Sequence, residues 1–354
     1  MARCFEGIEV REFSKVFDTQ RRLLNVANGT VDLATGELRA HSRSDYLTKI
    51  IEIPYDAKAT CLGFSKFLVD TFAGNLKLIG YAGRLAGYFL TGLTSEQKWW
   101  MFYGPTASGK STFIQILHGL LGPYALALPD NFFLVSKNSS DFVTANLAGV
   151  RLATCVETNE GRRLDVARIK TLTGEDMISA AFKYENIFTF RPQCKLVLAT
   201  NHPPHVPSGD DALWRRLKVL PLNVTVPPEK RIEDLAEKLL AEEGPGILRW
   251  AVLGCQGWQC DGLDEPEEVT AAVNEYRSAE DIVQHFIEEC CVREPTAQVE
   301  REEVYAAYTK WAKDGNLNPM SKDRFGKELV RLGIVPDAGR RFWYGIRLDQ
   351  QVFV

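Results

Sequence analysis

An α/β fold is what the chain predicts, on three observations. An apolar run over 99–103 leads into the loop Gly104-Pro105-Thr106-Ala107-Ser108-Gly109-Lys110-Ser111 and then into an amphipathic segment from Thr112 to Leu121. Two further apolar runs, 150–156 and 195–200, have the length and the Val, Leu and Ala content of buried strands. Helical and hairpin-like patterns separate them, and strands alternating with helices build an α/β sheet.

Taken in order, the first 92 or so residues hold the turn signals Asn28-Gly29 and Thr35-Gly36, then helical patterns over 62–72 and 76–88. This reads as a mostly helical collar. Residues 93–262 carry the sheet, with the helix after the loop stopped by Gly122-Pro123. A Gly- and acid-rich connector over 257–268 leads to a last segment, 263–354, with helical patterns over 280–291, 301–313 and 321–332. A strand-turn-strand candidate over 339–348 closes it. Three helices followed by a basic, aromatic hairpin is the outline of a winged helix, so the chain divides into domains 1–92, 93–262 and 263–354.

Composition sets the bounds. The 354 residues are 45% hydrophobic and 25% charged, enough to bury a full core. With 42 Lys and Arg against 46 Asp and Glu, the formal charge is -4, so any nucleic-acid contact must come from a local basic surface. The start of the chain has no long apolar region for secretion, and the most apolar later stretch is interrupted by Arg84, so no membrane span is expected. The eight cysteines fall in no paired C-x-x-C spacing and read as reduced thiols of a cytoplasmic protein.

The loop carries the first chemistry. Its glycines let successive N–H groups turn inward around phosphates, Lys110 offers a cation to the β and γ phosphates, and Ser111 offers a hydroxyl to Mg²⁺. Residues Gly104 to Thr112 therefore predict a nucleoside triphosphate held at the start of a helix. Such a site needs a carboxylate at the end of a neighbouring strand, and Glu157 stands there, with Glu160 one turn later. Glu157 is either that metal and water ligand or the first solvated residue after a strand. Asn201, ending the run 195–200, either bonds the γ phosphate or shapes the turn before Pro203-Pro204. Arg215 and Arg216 are either an arginine finger or surface ion-pair partners.

The order of these motifs resembles a known family. The loop, Cys155-Val156-Glu157-Thr158-Asn159-Glu160-Gly161, Ile169-Lys170-Thr171-Leu172-Thr173-Gly174-Glu175-Asp176, Leu198-Ala199-Thr200-Asn201-His202-Pro203-Pro204 and Trp214-Arg215-Arg216 resemble the superfamily 3 helicase domain of phage and plasmid primase-helicases, related to the poxvirus primase-helicase. The likeness covers nearly the whole chain. Residues 25–33 and 88–92 are similar to the family's N-terminal collar, and 304–348 to its C-terminal winged-helix region.

The resemblance implies an AAA+-like P-loop ATPase core with a helical collar and a winged helix. It implies a homohexameric ring that hydrolyses ATP with Mg²⁺ between subunits and moves 3′ to 5′ on single-stranded or forked DNA, beside a primase or polymerase. The alternative is an ATP-regulated initiator that assembles on DNA with little unwinding. Carried over, Lys110 and Ser111 hold phosphates and metal, Glu157 orients the attacking water and also serves the metal, Asn201 senses the γ phosphate, and Arg216 is the finger in trans, with Arg215 as runner-up. The DNA grip falls on a hairpin over 177–190 with Lys183 and Tyr184 at its tip; Lys183 is otherwise a solvated lysine. In the winged helix Arg340 and Arg341 beside Phe342-Trp343-Tyr344 form either a basic wing or solvated arginines over a core. Two departures stand out: Val156 where many members have a second acid, and Ala180-Ala181 where related hairpins carry an arginine. No primase segment is recognisable, which fits either a fragment of a primase-helicase or a free-standing relative. The host implied is a bacterial cell.

Overall fold

The computed structural model of the chain describes residues 16–135, 141–157, 162–184, 186–206, 210–315, 317, 319–339 and 341–349. They form two compact units, one within Met1–His205 and Ala212–Asn274, the other within Val206–Asp211 and Glu275–Val354.

The first unit begins with an antiparallel meander of β1 (Leu23–Val26), β2 (Gly29–Asp32) and β3 (Glu37–Arg39), turning at the two predicted sites. The start of the chain is thus less helical than expected, because strands of three or four residues are too short to show a period of two. Two helices follow, α1 (Leu62–Thr71) and α2 (Leu76–Leu90), close to the predicted patterns. Asn75 caps α2, its Oδ1 accepting from the N–H groups of Lys77 and Leu78 at 3.0 and 3.1 Å.

Next come β4 (Trp99–Tyr103), α3 (Lys110–Leu121), β5 (Ala125–Ala127), α4 (Asp141–Ala145), β6 (Leu152–Glu157) and α5 (Val166–Thr173). The hairpin β7 (Ile178–Ala180) and β8 (Phe188–Phe190) precedes β9 (Lys195–Thr200), α6 (Asp211–Trp214) and β10 (Leu217–Pro221). Five of these strands form one parallel sheet in the order β10-β4-β9-β6-β5. Parallel strands covered on both faces read as continuous apolar runs, and every residue of β9 is buried. Because β9 is inserted between β4 and β6, the acid-bearing strand is not the immediate neighbour of the strand that feeds the loop. Crossover topology sets that order, and no local pattern encodes it.

The helix α7 (Leu235–Asp261) runs 27 residues, about 40 Å. Its interior holds Gly244-Pro245-Gly246, which weaken a helix, and its last turns take up Gly257 to Asp261, expected to belong to a connector. Packing overrides propensity here. A Cβ on Gly254 would fall 1.9 Å from the Gly83 carbonyl oxygen, and one on Gly87 would fall 2.0 Å from the Cys255 nitrogen, so α2 and α7 cross with their backbones touching. Glu243 of α7 also accepts from the N–H groups of Gly63 and Phe64 at 2.8 and 2.9 Å, placing a carboxylate at the N-terminus of α1.

Two cations lie buried near the start of the sheet. Arg151 donates to the carbonyl oxygens of Leu90 and Leu23 and stacks 4.3 Å from the Tyr124 ring centroid. Lys195 donates to the Thr91 and Gln193 carbonyls. Burial, with Arg151 nearby, holds its ammonium well below the usual lysine range. The unfolded chain keeps that proton up to about pH 10.4, so stability rises with pH between the lowered folded value and that point, by up to ~1.4 kcal/mol per unit. Lys195→Met should remove this slope: urea midpoints at pH 7, 8 and 9 should show the wild type gaining on the variant as pH rises. Parallel pH curves would show that the amine does not titrate differently on folding.

After α8 (Glu267–Ala279), the second unit runs α9 (Ile282–Cys290), β11 (Cys291–Glu300), α10 (Arg301–Asp314), α11 (Lys322–Arg331), β12 (Val335–Pro336) and β13 (Phe342–Leu348). Its antiparallel sheet has the order β11-β13-β12. The core gathers Phe286, Tyr308, Phe325, Leu329, Trp343 and Ile346, with Tyr308 and Phe325 stacked at 4.4 Å. Residues 342–348 are one strand rather than the expected strand-turn-strand. Gly345 sits at φ +90° within β13, beside the register shift in β11 between Arg293 and Gln298.

Candidate functional site

The loop between β4 and α3 owes its path to two left-handed residues, Ala107 at φ +60° and Gly109 at φ +87°. Gly104 permits a close approach, since a Cβ there would fall 2.0 Å from the Leu222 carbonyl oxygen. Gly109 is the N-cap of α3 and no side chain caps the helix. Its first N–H groups are thus left for an external acceptor, and the helix dipole favours an anion.

Lys110, only 7% exposed, folds back over the loop. Its Nζ donates to the carbonyl oxygens of Gly104 and Pro105, both at 2.7 Å, and to Ser108 Oγ at 3.1 Å. Burial lowers its pKa. Neutral oxygens only partly compensate a desolvated ammonium, so an arriving anion is the better partner.

The loop opens on a cleft of about 170 Å³ that Ser111, Thr112, Val156, Ala199 and Asn201 help to line. Asn201 Nδ2 donates to Thr106 Oγ1 at 3.3 Å, which ties the end of β9 to the loop. Glu157 is described at its backbone, paired in register with Thr200, one residue before Asn201; Glu160 lies outside the described residues. The exposed hydroxyl of Ser111 is the type of oxygen donor that a hard divalent cation takes, and the uncapped helix start fits the phosphates that accompany it. The structure therefore brings together the loop, Asn201 and the end of β6. Val156 and Ala199, which also line the cleft, were legible only as neighbours of Glu157 and Asn201.

Arg215 and Arg216 lie elsewhere. They precede β10, whose Leu217 pairs with Trp99, so they stand at the end of the sheet opposite the loop, about 17 Å away along β4. Arg216 Nη1 donates to the Ala212 carbonyl at 2.8 Å while its buried Nε has no partner. Arg215 is exposed and unpaired among the described residues. Arg215 is thus the more available cation of the two.

The hairpin pairs Ile178 with Phe190 and Ala180 with Phe188. At its tip Tyr184 takes φ +68° and is 92% exposed, with Lys183 Nζ 5.0 Å from its ring centroid. Phe182 stacks on Phe188 at 5.5 Å and Ile187 is exposed beside them. In the second unit Arg341 pairs with Glu300 at 3.2 Å and its guanidinium lies 5.4 Å from the Phe342 ring. Trp343 is core and Tyr344 is exposed; Arg340 lies outside the described residues. No helix of the described residues is long and apolar enough to cross a membrane.

Comparison with known proteins bears on what this arrangement serves. Residues 1–73 match the family described as D5 N terminal like, 278–338 the family described as poxvirus D5 protein-like, and 102–216 a family of unknown function. A protein of Acanthamoeba polyphaga mimivirus named as a putative helicase is 28% identical over 308 residues, covering 79% of this chain and 32% of its own length. A protein of Frog virus 3 (isolate Goorha), similarly named, is 24% identical over 232 residues, covering 59% of this chain and 23% of its own length. The chain thus spans about a third or less of these relatives. The apo structure of the NrS-1 C-terminal region (305–718) is similar in fold, with a TM-score of 0.52 at 13% identity over 83% of this chain and 79% of that one. Its likeness establishes a mixed α/β fold with a parallel sheet. Both D5 matches and the viral relatives point the same way, and the chain is similar to D5-like primase-helicases.

Proposed function

We propose that the chain is the motor part of a helicase-like replication protein, which hydrolyses ATP with Mg²⁺ and uses the turnover to move on single-stranded DNA. The observation that carries this reading is the convergence, in one cleft, of an uncapped helix start, Lys110, Ser111, Asn201 and the end of β6. ATP with its metal would supply a polyanion suited to the uncapped helix start and the buried Lys110 ammonium. Lys110 would leave its three oxygen partners for the phosphates, Ser111 would face the metal, Asn201 would sense the γ phosphate through its place beside Thr106, and Glu157 would orient water.

An arginine at the far end of the sheet cannot complete its own cleft, which supports Arg216 or Arg215 acting on a neighbouring copy in a hexameric ring. The exposed Tyr184 and Lys183 supply a stacking ring and a cation for a strand without reading its bases. Forked DNA, 3′ to 5′ movement and an associated primase or polymerase complete the reading. In the second unit the order helix, strand, two helices and a two-stranded return supports a winged helix, with Arg341 on its wing.

ATPase assays with and without a single-stranded oligonucleotide, and strand displacement from a forked duplex, test the proposal. Turnover should rise with the strand, and displacement should require a hydrolysable triphosphate. Hydrolysis indifferent to DNA would overturn it, and stimulation without displacement would point to the initiator alternative. Tyr184→Ala should weaken strand binding by about 1–3 kcal/mol, with Lys183→Ala lowering its salt dependence. Unchanged affinity in both would remove the hairpin from the contact.

A further inference from the structure

A second cleft in the first unit, of about 200 Å³, is lined by Asp18, Arg21, Lys49, Arg191 and Gln193 among others. Arg191 directly follows β8, so this cleft lies at the base of the hairpin whose tip carries Lys183 and Tyr184. Its basic residues come from three separate segments, and for that reason no sequence pattern announced them.

The side-chain nitrogens of Arg21, Lys49 and Arg191 have no hydrogen bond or ion pair among the described residues. Other cations of this unit do: Arg84 pairs with Asp264 at 2.7 Å, Lys98 with Glu265 at 2.7 Å and Lys218 with Glu265 at 2.5 Å. The acid within the cleft is already engaged, since Asp18 Oδ1 accepts from the Thr48 N–H at 2.8 Å and its Oδ2 from the Thr48 hydroxyl. Gln193 Nε2 donates to the Asp18 carbonyl at 3.1 Å, which fixes the floor of the cleft. Burial and then Arg191 lower the pKa of Arg21, with the exposed Glu175 opposing them by a smaller amount. The free protein therefore holds neighbouring like charges without a partner, an arrangement that an anion relieves.

We propose that this cleft grips a phosphodiester of single-stranded nucleic acid as it passes the hairpin. Arg21 and Arg191 present planar donor pairs to the non-bridging oxygens and Lys49 adds a point charge. The volume admits a phosphate group but falls below the ~300 Å³ where small-molecule sites begin, which favours a backbone phosphate over a whole nucleotide. The inference rests on the proposed action on DNA and adds a second contact to it.

The test is fluorescence anisotropy of the full chain with a labelled thymidine oligonucleotide across a series of KCl concentrations. The double variant Arg21→Gln, Arg191→Gln should bind about 10-fold more weakly at low salt, with a log-log salt slope shallower by ~0.7 for each phosphate no longer neutralised. Arg191→Lys should keep the slope while losing affinity, because charge remains and the bidentate geometry does not. Arg22→Gln, an exposed neighbour outside the cleft, should match the wild type, and equal thermal midpoints certify the fold. Wild-type binding with no change in the double variant or in Arg191→Lys overturns the cleft while leaving the proposed function standing. A wild type that binds no strand overturns both. A thermal shift with inorganic phosphate that depends on Arg21 and Arg191, without any change in oligonucleotide affinity, overturns the nucleic-acid assignment in favour of a free anion.

Discussion

Lys110→Ala is expected, under the proposed function, to lower ATP turnover by about 10²–10³-fold, the loss typical of removing one preorganised charge from developing phosphate charge. The ammonium is the cation held inside the loop, with Gly104, Pro105 and Ser108 as its partners. Its removal should cost no more than about 1–3 kcal/mol of stability: the buried Gly104 carbonyl and Ser108 hydroxyl lose a donor, while burial already disfavours the charged amine and Pro105 lies exposed to water. Lys110→Met separates the two contributions: it keeps the aliphatic stem packed and still removes the charge, so it should be as inactive as the alanine variant. Steady-state hydrolysis and thermal midpoints measured together provide the check. Turnover within a few-fold of the wild type in either variant would mean that the loop is not the triphosphate site.

Trp100→Ala should cost about 3–5 kcal/mol of folding stability from lost volume alone. The ring is fully buried between α2 and the sheet, edge-on to Phe89 at 5.3 Å and Tyr88 at 5.9 Å. Its Nε1 donates to the Tyr81 hydroxyl at 2.9 Å, and stranding that hydroxyl adds about 1–3 kcal/mol. Against a typical total of about 5–15 kcal/mol, this is enough to unfold much of the population. Trp100→Phe, which restores most of the volume, should recover a large part of the loss. Urea midpoints decide, and a cost below ~2 kcal/mol for the alanine variant would contradict the packing described.

The parts of the fold that were legible in sequence are those whose burial is uniform. The runs 99–103 and 195–200 became β4 and β9, and the helices α1, α2, α10 and α11 lie within a few residues of their periodic patterns. The strand β11 was missed because its residues are mostly exposed, it contains Pro295, and its register shifts midway, so neither alternation nor hydrophobicity marks it. The helix α7 was missed for the opposite reason: Gly244-Pro245-Gly246 oppose a helix locally, and only backbone contact with α2 explains why it persists. Of the candidate site, the loop was readable because its chemistry is contiguous. Asn201 and Glu157 were readable as strand ends, while the place of β9 between β4 and β6 was not. Arg21, Lys49 and Arg191 carried no signal at all, since proximity across long separations leaves no spacing to read.

The central strand β9 spans six residues, about 20 Å, with Asn201 just beyond its end and the hairpin closing at Phe190, shortly before its start. Ladders to β4 and β6 clamp it on both sides, so it can neither stretch nor buckle alone. It is in effect a push-rod. Under the proposed function, a displacement of Asn201 at the nucleotide end arrives at the hairpin base with little dissipated in between, and a load on the hairpin travels back along the same rod. Such coupling is reciprocal, so a strand pulling on Tyr184 would bias phosphate retention as strongly as the phosphate biases the hairpin.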